Sequence, residues 1–121
     1  MSENLYRFYR YKYYLDANHY MRNEDSRSQV HPHTWEITME VENDGADMID
    51  FSQIEDLIKK VFLPYQNMII NEVKPFDTVN PTTENMGIYF KKQLEGLMLE
   101  KNWKLKMLTI SENPNRTFVI Y

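Results

Sequence analysis

Residues 31–42 read HPHTWEITMEVE and alternate almost without error. The odd positions are His31, His33, Trp35, Ile37, Met39 and Val41; the even ones are Pro32, Thr34, Glu36, Thr38, Glu40 and Glu42. Successive strand side chains point to opposite faces, so this is a half-buried strand with one wet face. Upstream, LYRFYRYKYYL (5–15) has strand composition, aromatics interleaved with Arg and Lys. At period two, Leu5, Tyr9, Tyr11, Tyr13, Leu15, Ala17 and His19 share a face, with Arg7 the exception. The polar stretch RNEDSRSQ (22–29) between them reads as a loop.

The period then changes. NDGAD (43–47) is a turn, and DFSQIEDLIKKVF (50–62) sets Phe51, Ile54, Leu57, Ile58 and Val61 along one side of a helix. Ser52 with Glu55 fits a capping box at its start. A long connection, LPYQNMIINEVKPFDTVNP (63–81), leads to a second helix. That helix is expected from Thr82 or Thr83 to about Glu100, with a Thr N-cap and with Met86, Phe90, Leu94 and Leu97 in register. WKLKMLTISE (103–112) and RTFVIY (116–121) read as strands around an NPN turn.

The order β-β-α-α-β-β predicts an α+β fold: an antiparallel four-stranded sheet with both helices on one face. At 121 residues, a single domain over 1–121 is expected. The apolar C-terminal strand would be an exposed edge, and such edges are usually paired or covered. Assembly into a homo-oligomer is therefore expected.

Composition narrows the function classes. Nine Tyr, six Phe and two Trp, within 42% hydrophobic residues, are ample for a core. The formal net charge is −4 with no dense Lys/Arg run, which argues against nucleic acid as a partner. No apolar run approaches the ~18–20 residues of a membrane helix, and MSENLYRFYRYKYY lacks an apolar signal core. The expectation is a cytoplasmic protein with no membrane partner. There is no cysteine, so disulfides and thiolate metal sites are excluded.

His31 and His33, two apart on a strand, project together on the apolar face. His19 falls on the apolar face of its own strand, near the joining end if the two strands form a hairpin. Burying an unpaired polar group costs about 1–3 kcal/mol, and a shared divalent metal would satisfy all three rings. Three histidines with an open fourth position are a catalytic zinc arrangement. Three separately satisfied histidines are the other reading, and spacing leaves both open.

Several motifs in order resemble the 6-pyruvoyl-tetrahydropterin synthase / 6-carboxytetrahydropterin synthase family. LDANH (15–19) resembles its F-x-A-x-H, and HPH (31–33) its H-G-H. MIDF (48–51) is similar to the opening of its first helix, NPTTEN (80–85) to its P-T-x-E-N box, and ISE (110–112) to the strand with its pterin-anchoring glutamate. The resemblance spans essentially the whole chain. It implies the tunnelling (T-) fold, with trimers closing sheets into a barrel, often stacked as hexamers, and pterin sites between subunits. It implies Zn2+ on His19, His31 and His33. Glu112 would pair with the pterin ring, and Thr82, Thr83 and Glu84 match substrate-contacting positions, although helix capping accounts for them equally. Asp50 reads as structural. The implied activity is a zinc-dependent lyase acting on a dihydropterin such as dihydroneopterin triphosphate.

The sequence departs from the family at its proton-transfer residues. The family's cysteine base lies four residues before H-G-H, where this chain has Arg27. An Asp-His pair in L-D-H-x-x-L-N corresponds to Gln66 and Asn67 of YQNMIIN (65–71). Guanidinium stays protonated and amides do not titrate. Losing a general base typically costs ~10²–10⁴ in rate. Glu24 or Asp25 is the candidate replacement base; some family members use a glutamate nearby for a retro-aldol cleavage. A pterin- or metal-binding paralogue without catalysis is the alternative.

Overall fold

Two long strands, β1 (Phe8–His19) and β2 (His31–Asn43), pair antiparallel along their whole length, from Phe8 opposite Glu42 to His19 opposite His31. The computed structural model describes residues 4–23, 26–45 and 47–121. β3 (Trp103–Asn113) pairs with β2, and β4 (Arg116–Ile120) with β3, giving one antiparallel sheet in the order β1-β2-β3-β4. Two helices, α1 (Phe51–Phe62) and α2 (Thr83–Leu99), cross between β2 and β3. This is the predicted β-β-α-α-β-β order.

Alternation decides which face the helices cover. Leu15, Trp35, Ile37, Met39 and Val41 are fully buried with Ile54, Phe62, Phe90 and Leu94 of the helices. Burying one such side chain contributes about 1.5–3 kcal/mol, so the sheet has one strongly preferred inner face. The opposite face carries cross-strand ion pairs, Lys12–Glu36 and Arg10–Glu40, each at 2.8 Å.

β3 breaks the alternation, and a β-bulge explains it. Val41 pairs with Leu105 and Glu40 with Met107, which leaves Lys106 extra. One extra residue reverses the inward phase. Trp103 and Leu105 point inward before the bulge; Leu108 and Ile110 do so after it. Glu112 continues this second phase and reaches the helix side.

Some local expectations are corrected. Asp50, with no capping box, caps α1: its carboxylate accepts the Ser52 N–H at 3.0 Å. The buried stripe of α1 is Ile54, Ile58 and Phe62, one residue every four, while Phe51 is 59% exposed and meets Tyr9 and Tyr11 edge-on. The expected Thr N-cap of α2 is Thr82, which accepts the Asn85 N–H at 3.0 Å. The connection 63–81 holds two 3-10 turns, Leu63–Tyr65 and Ile70–Glu72. Ile70, Asn71 and Phe76 anchor it in the core. No helix among the described residues is long and apolar enough to cross a membrane.

Candidate metal and ligand site

The three histidines meet at one end of the β1–β2 hairpin. His19 lies directly opposite His31 in the strand register, and His33 follows two residues on. Ring centroids lie 4.5 Å apart for His19–His31, 5.1 Å for His19–His33 and 4.9 Å for His31–His33. One ligand nitrogen from each ring falls within 4.8 Å of the other two. Trp35, fully buried, closes the floor against His19 and His33 at 4.9 and 5.3 Å.

Hydrogen bonds set the tautomers. A carbonyl only accepts, so His19 Nδ1–H donates to the Pro81 carbonyl at 2.9 Å, and His31 Nδ1–H to the Gln29 carbonyl at 2.9 Å. In the neutral ring the other nitrogen then carries the lone pair. Burial pushes His19 below the usual imidazole value, opposed by its bond to Pro81. His19 Nε2 is buried with no hydrogen-bond partner among the described residues. A buried lone pair of this kind costs about 1–3 kcal/mol when unsatisfied, and a metal ion would satisfy it. A second ring nitrogen fixed by a carbonyl, as in His19 and His31, is the usual support of a metal-ligating histidine. The donor set therefore fits an imidazole-bound divalent ion.

Glu112 lies beside this cluster because of the bulge in β3. Its Oε2 is 3.7 Å from His33 Nε2 and accepts the Thr83 hydroxyl at 3.1 Å. Thr83 Oγ1 in turn accepts the Trp35 indole N–H at 3.4 Å. The other oxygen, Oε1, faces Arg116 Nη2 at 3.3 Å. The carboxylate stands at the start of α2, where helix N–H dipoles favour negative charge. A cavity of about 390 Å³ opens here, lined by Thr83, Glu84, Ile110, Glu112, Arg116 and Phe118, among others.

Other sequence-predicted residues divide. Thr83 and Glu84 line this cavity, whereas the Thr82 hydroxyl caps α2. Arg27 is exposed, with its guanidinium 4.7 Å over the Tyr20 ring. Gln66 accepts the Tyr13 hydroxyl at 3.3 Å, and Asn67, at φ 61°, donates its N–H to Asp16. Asn67 and His33 both line a second cavity of about 420 Å³. Glu24 and Asp25 lie outside the described residues. Sequence pattern alone does not mark Trp35, Arg116 or Phe118 as site residues. Trp35 reads as ordinary core, and Arg116 could have been found only by its place just beyond the NPN turn.

The sequence profile of the 6-pyruvoyl tetrahydropterin synthase family matches residues 9–121. The chain belongs to that family. No curated protein matches it. Among solved structures it is similar to the Caenorhabditis elegans 6-pyruvoyl tetrahydropterin synthase, with a TM-score of 0.78 at 18% identity over 93% of each chain. It is also similar to the Plasmodium falciparum synthase, with a TM-score of 0.62 at 17% identity over 94% of this chain and 97% of that one. A Plasmodium vivax synthase with a catalytic glutamate replaced by alanine gives 0.65 at 16% identity, over 94% and 97%. These likenesses establish the fold, which is the tunnelling fold of this family.

Proposed function

We propose that this chain binds a reduced pterin, such as dihydroneopterin triphosphate, beside a zinc ion held by His19, His31 and His33. The observation that carries the proposal is the 3.7 Å approach of Glu112 to His33. It sets an acceptor for ring N–H groups against a cluster fit for a metal. Three imidazoles suit zinc and leave a fourth position open. Zinc bound there would polarise an oxygen of the ligand's side chain and acidify the adjacent C–H. Glu112 would orient the ring, steadied by the Thr83 hydroxyl and, through it, by the Trp35 indole. Glu84 would stand at the cavity wall and Thr82 would act through the cap of α2. Sites between subunits of a trimer or hexamer, in a cytoplasmic protein, complete this reading.

Residue chemistry separates binding from turnover. Arg27, Gln66 and Asn67 supply no general base. Glu24 or Asp25 is the base we propose if the protein is a lyase, and the Plasmodium vivax relative's catalytic glutamate supports a carboxylate in that role. Without such a base the chain is a pterin- and metal-binding paralogue.

Two measurements test this. Metal analysis of protein purified without chelator should find about one zinc per chain, lost in His31→Ala/His33→Ala. Absence of metal in the wild type would overturn the site. Zinc-loaded protein should then be incubated with dihydroneopterin triphosphate and the products separated by chromatography. Turnover abolished by Glu24→Gln or Asp25→Asn would establish the lyase. Saturable binding without turnover would establish the paralogue, and no binding would reject the pterin reading.

A further inference from the structure

Among the described residues that line the first cavity, Arg116 alone is a permanent cation, and it stands beside Glu112. Its Nη2 stands 3.3 Å from Glu112 Oε1, and its side chain is 75% exposed. An exposed pair of this length is weakly held, so the guanidinium can release the carboxylate without loss of fold. The other carboxylate oxygen is fixed by Thr83 at 3.1 Å. The cavity edge therefore presents a carboxylate anchored through Oε2, with an exposed multiple donor beside Oε1. Ile110 and Phe118 supply apolar wall alongside.

That order of groups has a chemical complement. A ligand edge that donates twice, from a ring N–H and an adjacent amino group, satisfies Glu112. An oxygen acceptor next to that ring N–H then falls on the side of Oε1, where Arg116 waits. An amino group at the same place would turn a donor toward a cation that cannot accept.

We infer that Arg116 reads the ring carbonyl of the bound heterocycle and sets a preference for 4-oxo over 4-amino pteridines. The inference rests on the pterin reading above and adds a specificity residue to it. Arg116 contacts the ligand directly, and its role is recognition and not proton transfer.

The test is a fluorescence titration of zinc-loaded protein with two ligands of the same side chain, a 2-amino-4-oxo pteridine and its 2,4-diamino counterpart. Wild type should prefer the 4-oxo ligand. Arg116→Ala should weaken the 4-oxo ligand by about tenfold or more, the scale of a charge-assisted hydrogen bond. It should leave the 4-amino ligand unchanged or improved. Arg116→Lys, which keeps a donor, should retain part of the preference. Equal losses for both ligands, or no change in their ratio, would overturn the inference while leaving pterin binding intact. Failure of wild type to bind either ligand would overturn both. Thermal melting of each variant, expected to match wild type, shows that the fold is unchanged.

Discussion

Tyr11, a residue 6% exposed, buries its hydroxyl without a hydrogen-bond partner among the described residues. Burial, helped by Glu55, pushes this phenol up to about 12. The folded pKa is above that of the unfolded chain, so Tyr11 is neutral in both states below pH 10 and costs nothing in linkage there. Above pH 10 the unfolded chain gives up the proton first, and stability falls as pH rises toward 12. The loss reaches on the order of 2 kcal/mol. Tyr65 is raised in the same direction by burial. Tyr11→Phe should therefore gain about 1 kcal/mol at neutral pH by removing the orphaned hydroxyl. Its advantage should widen between pH 10 and 12. Urea midpoints across that range check this; curves that stay parallel would show that Tyr11 is not the titrating group. The histidines were legible at this scale because period two alone puts His31 and His33 on one side. The buried lone pair of His19 was not, because it depends on Pro81, sixty-two residues away.

At the scale of elements, strand and helix order was readable from a switch between periods of 2 and 3.6; Glu112 was marked by the resemblance of ISE alone, and alternation did not give the face it points to. WKLKML gives no signal for a bulge, yet the extra Lys106 brings Glu112 to the same face as His33. Helix α2 must then pack closely against β3 and β4. Gly87 permits it: a Cβ there would stand 2.8 Å from Ile110 Cγ2 and 3.2 Å from Ile120 Cδ1. Ile110 is β-branched and fully buried, so it has little freedom to move away. Gly→Ala gains about 0.5–1 kcal/mol of helix propensity, while overpacking costs about 1–3 kcal/mol. Gly87→Ala should thus be destabilising by about 1 kcal/mol. Gly96, on the same helix with nothing within 4 Å of its would-be Cβ, is the control. Gly96→Ala should stabilise by about 0.5–1 kcal/mol. Denaturant midpoints of opposite sign are the expected outcome; two gains would mean that the helix–sheet contact is loose. The connection 63–81 shows no period in the sequence, since the burial of Ile70 and Phe76 follows from tertiary packing that a short apolar pair does not announce.

Among the described residues β1 and β4 are the outer strands of the sheet; the 67–69 segment pairs with β1 at Asp16 and Asn18, and the rest of its outer edge, like that of β4, has no strand beside it. Exposed apolar residues lie along them: Phe8 and Tyr14 on β1, Val119 on β4, and Tyr121 just beyond it. An edge of this composition promotes pairing with another chain unless something covers it. The two edges are antiparallel neighbours of inner strands, so β4 of one copy can extend the sheet at β1 of the next. Repetition of that contact closes a ring only if the curvature matches, and the ion-paired face would then line its inside. A closed assembly is the expected outcome, with a mass three or six times the 14.7 kDa chain. Light scattering coupled to size exclusion, across the micromolar range, measures it. Because pterin sites in the proposed assembly lie between subunits, affinity for the pterin should fall in step with dissociation on dilution. A chain that stays monomeric throughout, yet binds pterin fully, would place the whole site within one sheet.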